Sequence, residues 1–222
     1  MPTIEEASNW YPDDDPVHGF DHVLRVLAMT ERLARVEAAD PEIVRAAVLL
    51  HDAQPQPGLM SGELSDNGAG SEQRISHHLT SAEFAGEVLA AEGWQAERIA
   101  GVQHCIRSHR FRDDREPPQT LEAKILFDAD KLDAIGAIGA ARAIAYAAQA
   151  GQPAFACPSA RFLETGQTEP GEPHSAYHEF IYKLRRLNER LYTPAARRIG
   201  EERRRFLEAF FEQLAGEVEG KK

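Results

Sequence analysis

Ala46-Ala47-Val48-Leu49-Leu50-His51-Asp52 runs apolar for five residues and then ends on an imidazole and a carboxylate. A helix that is apolar on every side lies inside a fold rather than on its surface. Upstream, Asp40-Pro41 has the form of an N-cap followed by proline at the first helical position. The spacing therefore predicts a core helix from Pro41 that delivers His51 and Asp52 at its end, a placement that suits rigid ligands. A carboxylate buried in such a place is costly unless it is paired or bound to a metal.

Two further segments repeat this pattern of a ligand set in buried helix. His22 opens His22-Val23-Leu24-Arg25-Val26, within a helix predicted over about 18–38 with Val23, Val26, Leu27 and Leu33 at helical spacing. His18, His22 and Arg25 share one face of it. Asp130 interrupts Ala123-Lys124-Ile125-Leu126-Phe127-Asp128-Ala129. A lone helical His is most often a satisfied core residue, and a lone His-Asp pair is weak. Two His and two Asp together form a mixed N/O set suited to Mn, Fe, Zn, Co or Ni, with positions left for water and substrate. Such a set points to metal-assisted hydrolysis.

The arrangement resembles the HD-domain metal-dependent phosphohydrolase superfamily: a His on one helix, His-Asp at the end of the next, and a distant Asp. The more specific match is Ala129-Asp130-Lys131-Leu132-Asp133-Ala134-Ile135-Gly136-Ala137-Ile138-Gly139. With His18-Gly19-Phe20-Asp21-His22 and Leu49-Leu50-His51-Asp52-Ala53, it is similar to the small stand-alone bacterial HD proteins over roughly residues 18 to 212. The resemblance implies metal ligation by His22, His51, Asp52 and Asp130. It also implies a nucleotide pyrophosphohydrolase, cleaving a nucleoside triphosphate to monophosphate and pyrophosphate. A nucleoside monophosphate phosphatase is the alternative within the class.

Composition narrows the partners. At 222 residues the chain is long enough for a single domain that buries about 70% of its unfolded surface. Its net charge of −11 argues against a polynucleotide partner, which meets a basic field. A few local Arg or Lys and a metal still accommodate a small phosphorylated substrate. Cys105 and Cys157 fit no metal or redox spacing and read as thiols of a reducing compartment. The start Met1-Pro2-Thr3-Ile4-Glu5-Glu6 has no secretory pattern, and no apolar run is long enough for a membrane span. The expectation is a cytoplasmic protein with no membrane partner.

The remaining chain reads as helix throughout. Asp13-Asp14-Asp15-Pro16 is a turn-like entry within residues 1–17. Residues 53–76 show little pattern and are long for a structureless loop, so they are either a lid over His51-Asp52 or a loop without a role. Thr80-Ser81-Ala82-Glu83 has the form of a capping box opening a helix that stops near Gly93. Another helix spans about 96–109, a charged proline-containing turn 112–119, and one long helix 120–148, in which Gly136 and Gly139 would admit a close neighbour. Residues 150–174 are a Pro/Gly-rich surface loop. An amphipathic helix follows over 175–192, and a last one, capped by Thr193-Pro194, carries Ile199, Phe206, Phe210, Leu214 and Val218 inward. The expected fold is all-α: one HD-type domain over 1–222 with about seven or eight helices, of which 175–219 holds the last.

Several polar residues have weaker roles in prospect. His18 is a candidate proton relay, Asp133 a candidate for orienting water or a ligand, and Arg25, His78, His109 and Lys131 are candidate substrate contacts. Each has a bland counterpart: a helix start, a solvated lysine, a charged helix end. Arg107, Arg110 and Arg112 bring positive charge beside His109 that suits an anionic substrate better than a second cation, so one divalent metal per chain is expected, with Mn or Fe favoured. The rival from another class is a di-iron oxygenase, which would need extra ligands from His77, His78, His104 or His109. A metal-stabilised binding module without turnover is the third reading. Glu179 and Lys183 are spaced for a surface ion pair. No nucleophile elbow, triad or phosphate-binding glycine loop competes.

Overall fold

The computed structural model describes residues 1–11, 19–53, 73–110 and 116–222 and, of residues 73–77, the backbone alone. Asp13-Asp14-Asp15-Pro16, His18, Arg112, the side chain of His77 and the supposed lid through residue 72 lie outside the described residues. The described residues hold α-helices α1 (Ile4–Ser8), α2 (Phe20–Glu37), α3 (Pro41–Leu50), α4 (Gln73–Ala91), α5 (Ala96–Ser108), α6 (Leu121–Asp133), α7 (Gly136–Gln149), α8 (Ala160–Thr165), α9 (Ala176–Tyr182) and α10 (Pro194–Val218), with a 3-10 helix at Leu184–Arg190. No strand occurs among them, so the all-α expectation holds. There are more helices than expected because α1 and α8 are too short to show a periodic face and because the segment 120–148 holds two helices.

These residues form two compact units, Met1–Asp130 and Lys131–Lys222. In the first, α3 is the central element, packed by α1, α2, α4 and α5. Asp40 caps it as the sequence predicts, accepting from the backbone N–H groups of Glu42 and Ile43, with Pro41 next. Val44 and the run Ala46–Leu50 are buried, which is why a helical run with no polar residue is stable here. α2 ends at Ala38, in the left-handed region at φ 58°.

Four boundaries differ from the sequence reading. The helix at 80–93 begins earlier, at Gln73. Thr80-Ser81-Ala82-Glu83 lies in its interior and so does not open the helix, and the Ser81 hydroxyl donates to the Ala53 carbonyl at 3.0 Å. The supposed loop 53–76 therefore already includes the first turn of α4.

The single helix over 120–148 is two helices, broken at Ala134-Ile135. Gly136 takes φ +76°, and a Cβ on Gly139 would stand 2.3 Å from the Ala134 carbonyl oxygen. Gly139 makes room for the turn between α6 and α7, not for a neighbouring helix.

In the second unit, Ser175 accepts from the His178 N–H and opens α9, which gives way after Tyr182 to the 3-10 helix, so 175–192 is not one helix. The 150–174 segment contains α8 and is tied by Glu172. That carboxylate accepts from the Ser159 N–H at 2.7 Å, the Ser159 hydroxyl at 2.7 Å and His178 Nε2 at 3.0 Å. Thr193 caps α10 as expected.

The inward face of α10 is not the expected one. Leu207 and Phe211 are buried, with Phe211 stacked on Phe180 at 4.5 Å, whereas Phe206 and Val218 are more than half exposed and Phe210 lies partly exposed. Glu179 and Lys183 form the expected ion pair at 2.8 Å.

Candidate metal centre

His22, on the first turns of α2, and His51, the C-cap of α3, are both buried; Asp130, near the end of α6, is partly so. One ligand atom from each lies within 4.8 Å of the others, the one such trio among the described residues. His22 Nε2 stands 3.3 Å from Asp130 Oδ1, and the two imidazole centroids are 5.7 Å apart. Asp52 adjoins the trio, with Oδ2 3.4 Å from His51 Nε2. The first unit thus brings together all four residues expected to bind metal.

The wiring of His51 decides what these groups can hold. Its Nδ1 is 2.7 Å from the Val48 carbonyl, which only accepts, so Nδ1 carries the hydrogen. Burial pushes the imidazole below its ordinary range, against an opposing pull from the Asp52 charge. The neutral ring therefore aims the Nε2 lone pair toward the centre, and Nε2 is buried without a hydrogen bond among the described residues. A lone pair facing a carboxylate oxygen at 3.4 Å is repulsive unless a cation serves both. Neutral imidazole nitrogen together with carboxylate oxygen is the donor set of a divalent transition metal. These residues fit such an ion.

His109 adds a third imidazole at the rim. Its Nδ1 donates to the Ile106 carbonyl at 2.6 Å, its Nε2 is 3.5 Å from Asp52 Oδ1, and its ring stands edge-on to His51 with centroids 5.3 Å apart. His78 is buried on α4 and falls outside the trio. Arg25 pairs with Asp21, one turn back on α2. Lys131 follows Asp130 on α6 and is largely buried. Asp133 is bound by Arg142 at 2.7 Å, both in the second unit.

His104 and Arg107 turn out to be occupied. His104 donates through Nδ1 to Glu116 at 2.8 Å and accepts the Gln119 N–H on Nε2 at 3.1 Å, which uses both ring nitrogens. Arg107 forks onto the same carboxylate at 2.8 and 3.1 Å, and chiefly through this contact holds Glu116 below the ordinary carboxylate range. The Arg107 charge expected to face a substrate is thus engaged by Glu116. Cys105 is buried and its thiol is pushed up to about 12, so it offers no thiolate.

The HD-domain family model matches residues 19–135, more than half of the chain and the whole span from His22 to Asp130. The chain belongs to the HD-domain family. That is the metal-dependent phosphohydrolase superfamily whose pattern its sequence resembles. This HD protein is 31% identical over 211 residues to YpgQ of Bacillus subtilis, an uncharacterized protein, covering 94% of this chain and 88% of that one. A crystal structure of YpgQ in complex with ADP is similar across 99% of this chain and 100% of that one, at 27% identity and TM-score 0.68. An HD-superfamily hydrolase from Bacillus thuringiensis is similar at 26% identity and TM-score 0.65, over 97% and 96% of the two chains. No helix among the described residues is long and apolar enough to cross a membrane.

Two contributions to the site escaped the sequence reading. Tyr11 reaches the end of α3 from a position 38 residues away, and nothing local marks it. The Glu116 clasp on His104 and Arg107 joins residues 12 and 9 apart in the chain, and a carboxylate placed there was the one available signal.

Proposed function

We propose that this HD protein hydrolyses a phosphoanhydride of a nucleotide, converting a nucleoside triphosphate to its monophosphate and pyrophosphate. The reaction uses one divalent transition metal, Mn or Fe by preference, held by His22, His51, Asp52 and Asp130. The observation that carries this reading is the convergence of His22, His51 and Asp130 within 4.8 Å, with a neutral His51 aimed at the same point. These residues would hold an ion whose chemistry would be to polarise a phosphoryl oxygen and to lower the pKa of a bound water. Val48 fixes the ring orientation of His51, and Ile106 does the same for His109. His109, whose Nε2 lies beside Asp52, is the group this reading assigns to hydrogen-bond the phosphate under attack or exchange a proton with it. His78 and Arg25 are the remaining substrate-contact candidates in this unit.

Support for a nucleotide comes from the ADP complex of the similar Bacillus subtilis protein. The di-iron oxygenase reading loses His104, whose two nitrogens are already bonded. The test is a panel of nucleoside mono-, di- and triphosphates with Mn²⁺, Co²⁺, Ni²⁺, Mg²⁺ and Ca²⁺, resolving phosphate from pyrophosphate. Pyrophosphate release from a triphosphate, faster with the transition metals than with Ca²⁺, is expected from the imidazole ligands. Phosphate release from monophosphates alone would establish the phosphatase alternative. No turnover with any metal would refute the enzyme reading.

A further inference from the structure

An α-helix leaves its last carbonyls without donors of its own, and buried ones must find them elsewhere. At the end of α3 three such carbonyls have identified donors. The Val48 carbonyl accepts from His51 Nδ1, and the Leu50 carbonyl accepts from the Ala53 N–H at 3.3 Å. The Leu49 carbonyl accepts from the phenol of Tyr11 at 3.1 Å. Val48, Leu49, Leu50 and His51 are fully buried, so this donor comes from the protein and not from bulk water. A side chain from outside the helix therefore reaches the turn, donating to the carbonyl just before Leu50-His51.

Tyr11 is itself well held. Its ring packs on Phe20 at 5.4 Å, in the turn of α2 that also carries His22. The preceding Trp10 stands edge-on to Phe84 of α4 at 5.3 Å. The short α1 before it is closed by a reciprocal capping box between Thr3 and Glu6.

We propose that Tyr11 is a positioning residue of the metal centre, its phenol fixing the His51-Asp52 turn so that both side chains meet the ion in one geometry. The proposal rests on the metal-binding reading above and is independent of which nucleotide is cleaved. Tyr11 acts only through the backbone of the ligand-bearing turn. Groups that orient metal ligands in this way typically change metal affinity by about 10–100-fold when removed.

The test compares full-length wild type, Tyr11→Phe and Trp10→Phe in Co²⁺ titrations of the metal-free proteins, read by affinity and by the visible ligand-field spectrum. Tyr11→Phe keeps the Phe20 packing and loses only the hydroxyl. It should bind Co²⁺ at least about tenfold more weakly, with altered band positions or intensities. Trp10→Phe, which disturbs packing but leaves the phenol, should match wild type in both. Unchanged affinity and spectrum in Tyr11→Phe would overturn the proposal, whatever its melting temperature does. Failure of the wild type to bind Co²⁺ would instead be a failure of the metal reading itself.

A second measurement leaves Tyr11 in place: ¹⁹F spectra of protein labelled with 3-fluorotyrosine at its five tyrosines, with and without Zn²⁺. The Tyr11 resonance, assigned by elimination through variants at Tyr146, Tyr177, Tyr182 and Tyr192, should shift on metal saturation. A resonance that stays put while Zn²⁺ binds would also overturn the proposal.

Discussion

His51 and His109 are wired alike: each donates Nδ1–H to the carbonyl three residues earlier, and each turns Nε2 toward a different oxygen of Asp52, at 3.4 and 3.5 Å. Only His51 belongs to the compact trio with His22 and Asp130. We expect one metal per chain, with His109 outside its inner ligands. Metal analysis of His109→Ala should return about the same equivalents as wild type, while activity falls by about 10–100-fold, the range seen when an outer group is lost. Two equivalents in wild type and one in His109→Ala would reverse the assignment.

His51→Ala and Asp52→Ala should each lose activity and most of the metal while the protein stays folded. Both side chains lie at the end of α3, beyond the apolar run that packs the unit, so helix packing survives their removal. The loss of metal affinity should exceed the roughly 100-fold upper range of outer-group changes. Circular dichroism together with metal content checks this; full metal in both variants would refute the site.

Metal binding should also weaken in acid. Burial holds the His51 imidazole below its ordinary value of 6.5, so the unfolded chain takes up a proton before the folded one does. The contribution of His51 to stability is therefore complete above about pH 6.5 and is lost as pH falls from there through the lowered folded value. Because the ligand form is the neutral ring, metal affinity declines at low pH as well. Co²⁺ titrations across this range check the sign, and affinity that rises on acidification would contradict it.

Gly139→Ala should destabilise the second unit by about 1–3 kcal/mol, the usual cost of overpacking. The added Cβ would meet the Ala134 carbonyl oxygen at 2.3 Å, and backbone at the α6–α7 turn yields less readily than a side chain. Chemical denaturation of the variant measures it. A stability equal to wild type would mean the turn relaxes freely.

Glu172→Gln should loosen the segment around α8. The carboxyl is held at about 2, from an ordinary 4.5, first by His178 and then by the Ser159 N–H. Its stabilising effect is present above about pH 4.5 and disappears as pH falls through about 2. Faster hydrogen exchange around residues 159–178 in the variant is the expected outcome, and unchanged exchange would count against the tie.

Residue order alone dictated the features that local chemistry controls. Asp40-Pro41 caps α3 because a carboxylate oxygen can reach the first free N–H groups of the very next turn. The unbroken apolar run after it had to be buried. His22, His51-Asp52 and Asp130 were legible because a buried acid needs a counter-charge and because their order resembles a known family.

Tertiary structure decided whatever depends on which of two acceptable partners arrives. On α10, Phe206 and Phe210 lie beside Leu207 and Phe211 on adjoining faces of the helix, and both faces are apolar. Tertiary packing, the stacking of Phe180 on Phe211 included, selects the inner one. His104 resembled a free ligand until Glu116 and Gln119 took both of its nitrogens. The Leu49 carbonyl needed a donor in any fold, but that it is Tyr11, 38 residues away, follows from packing at long range and from nothing local in the chain.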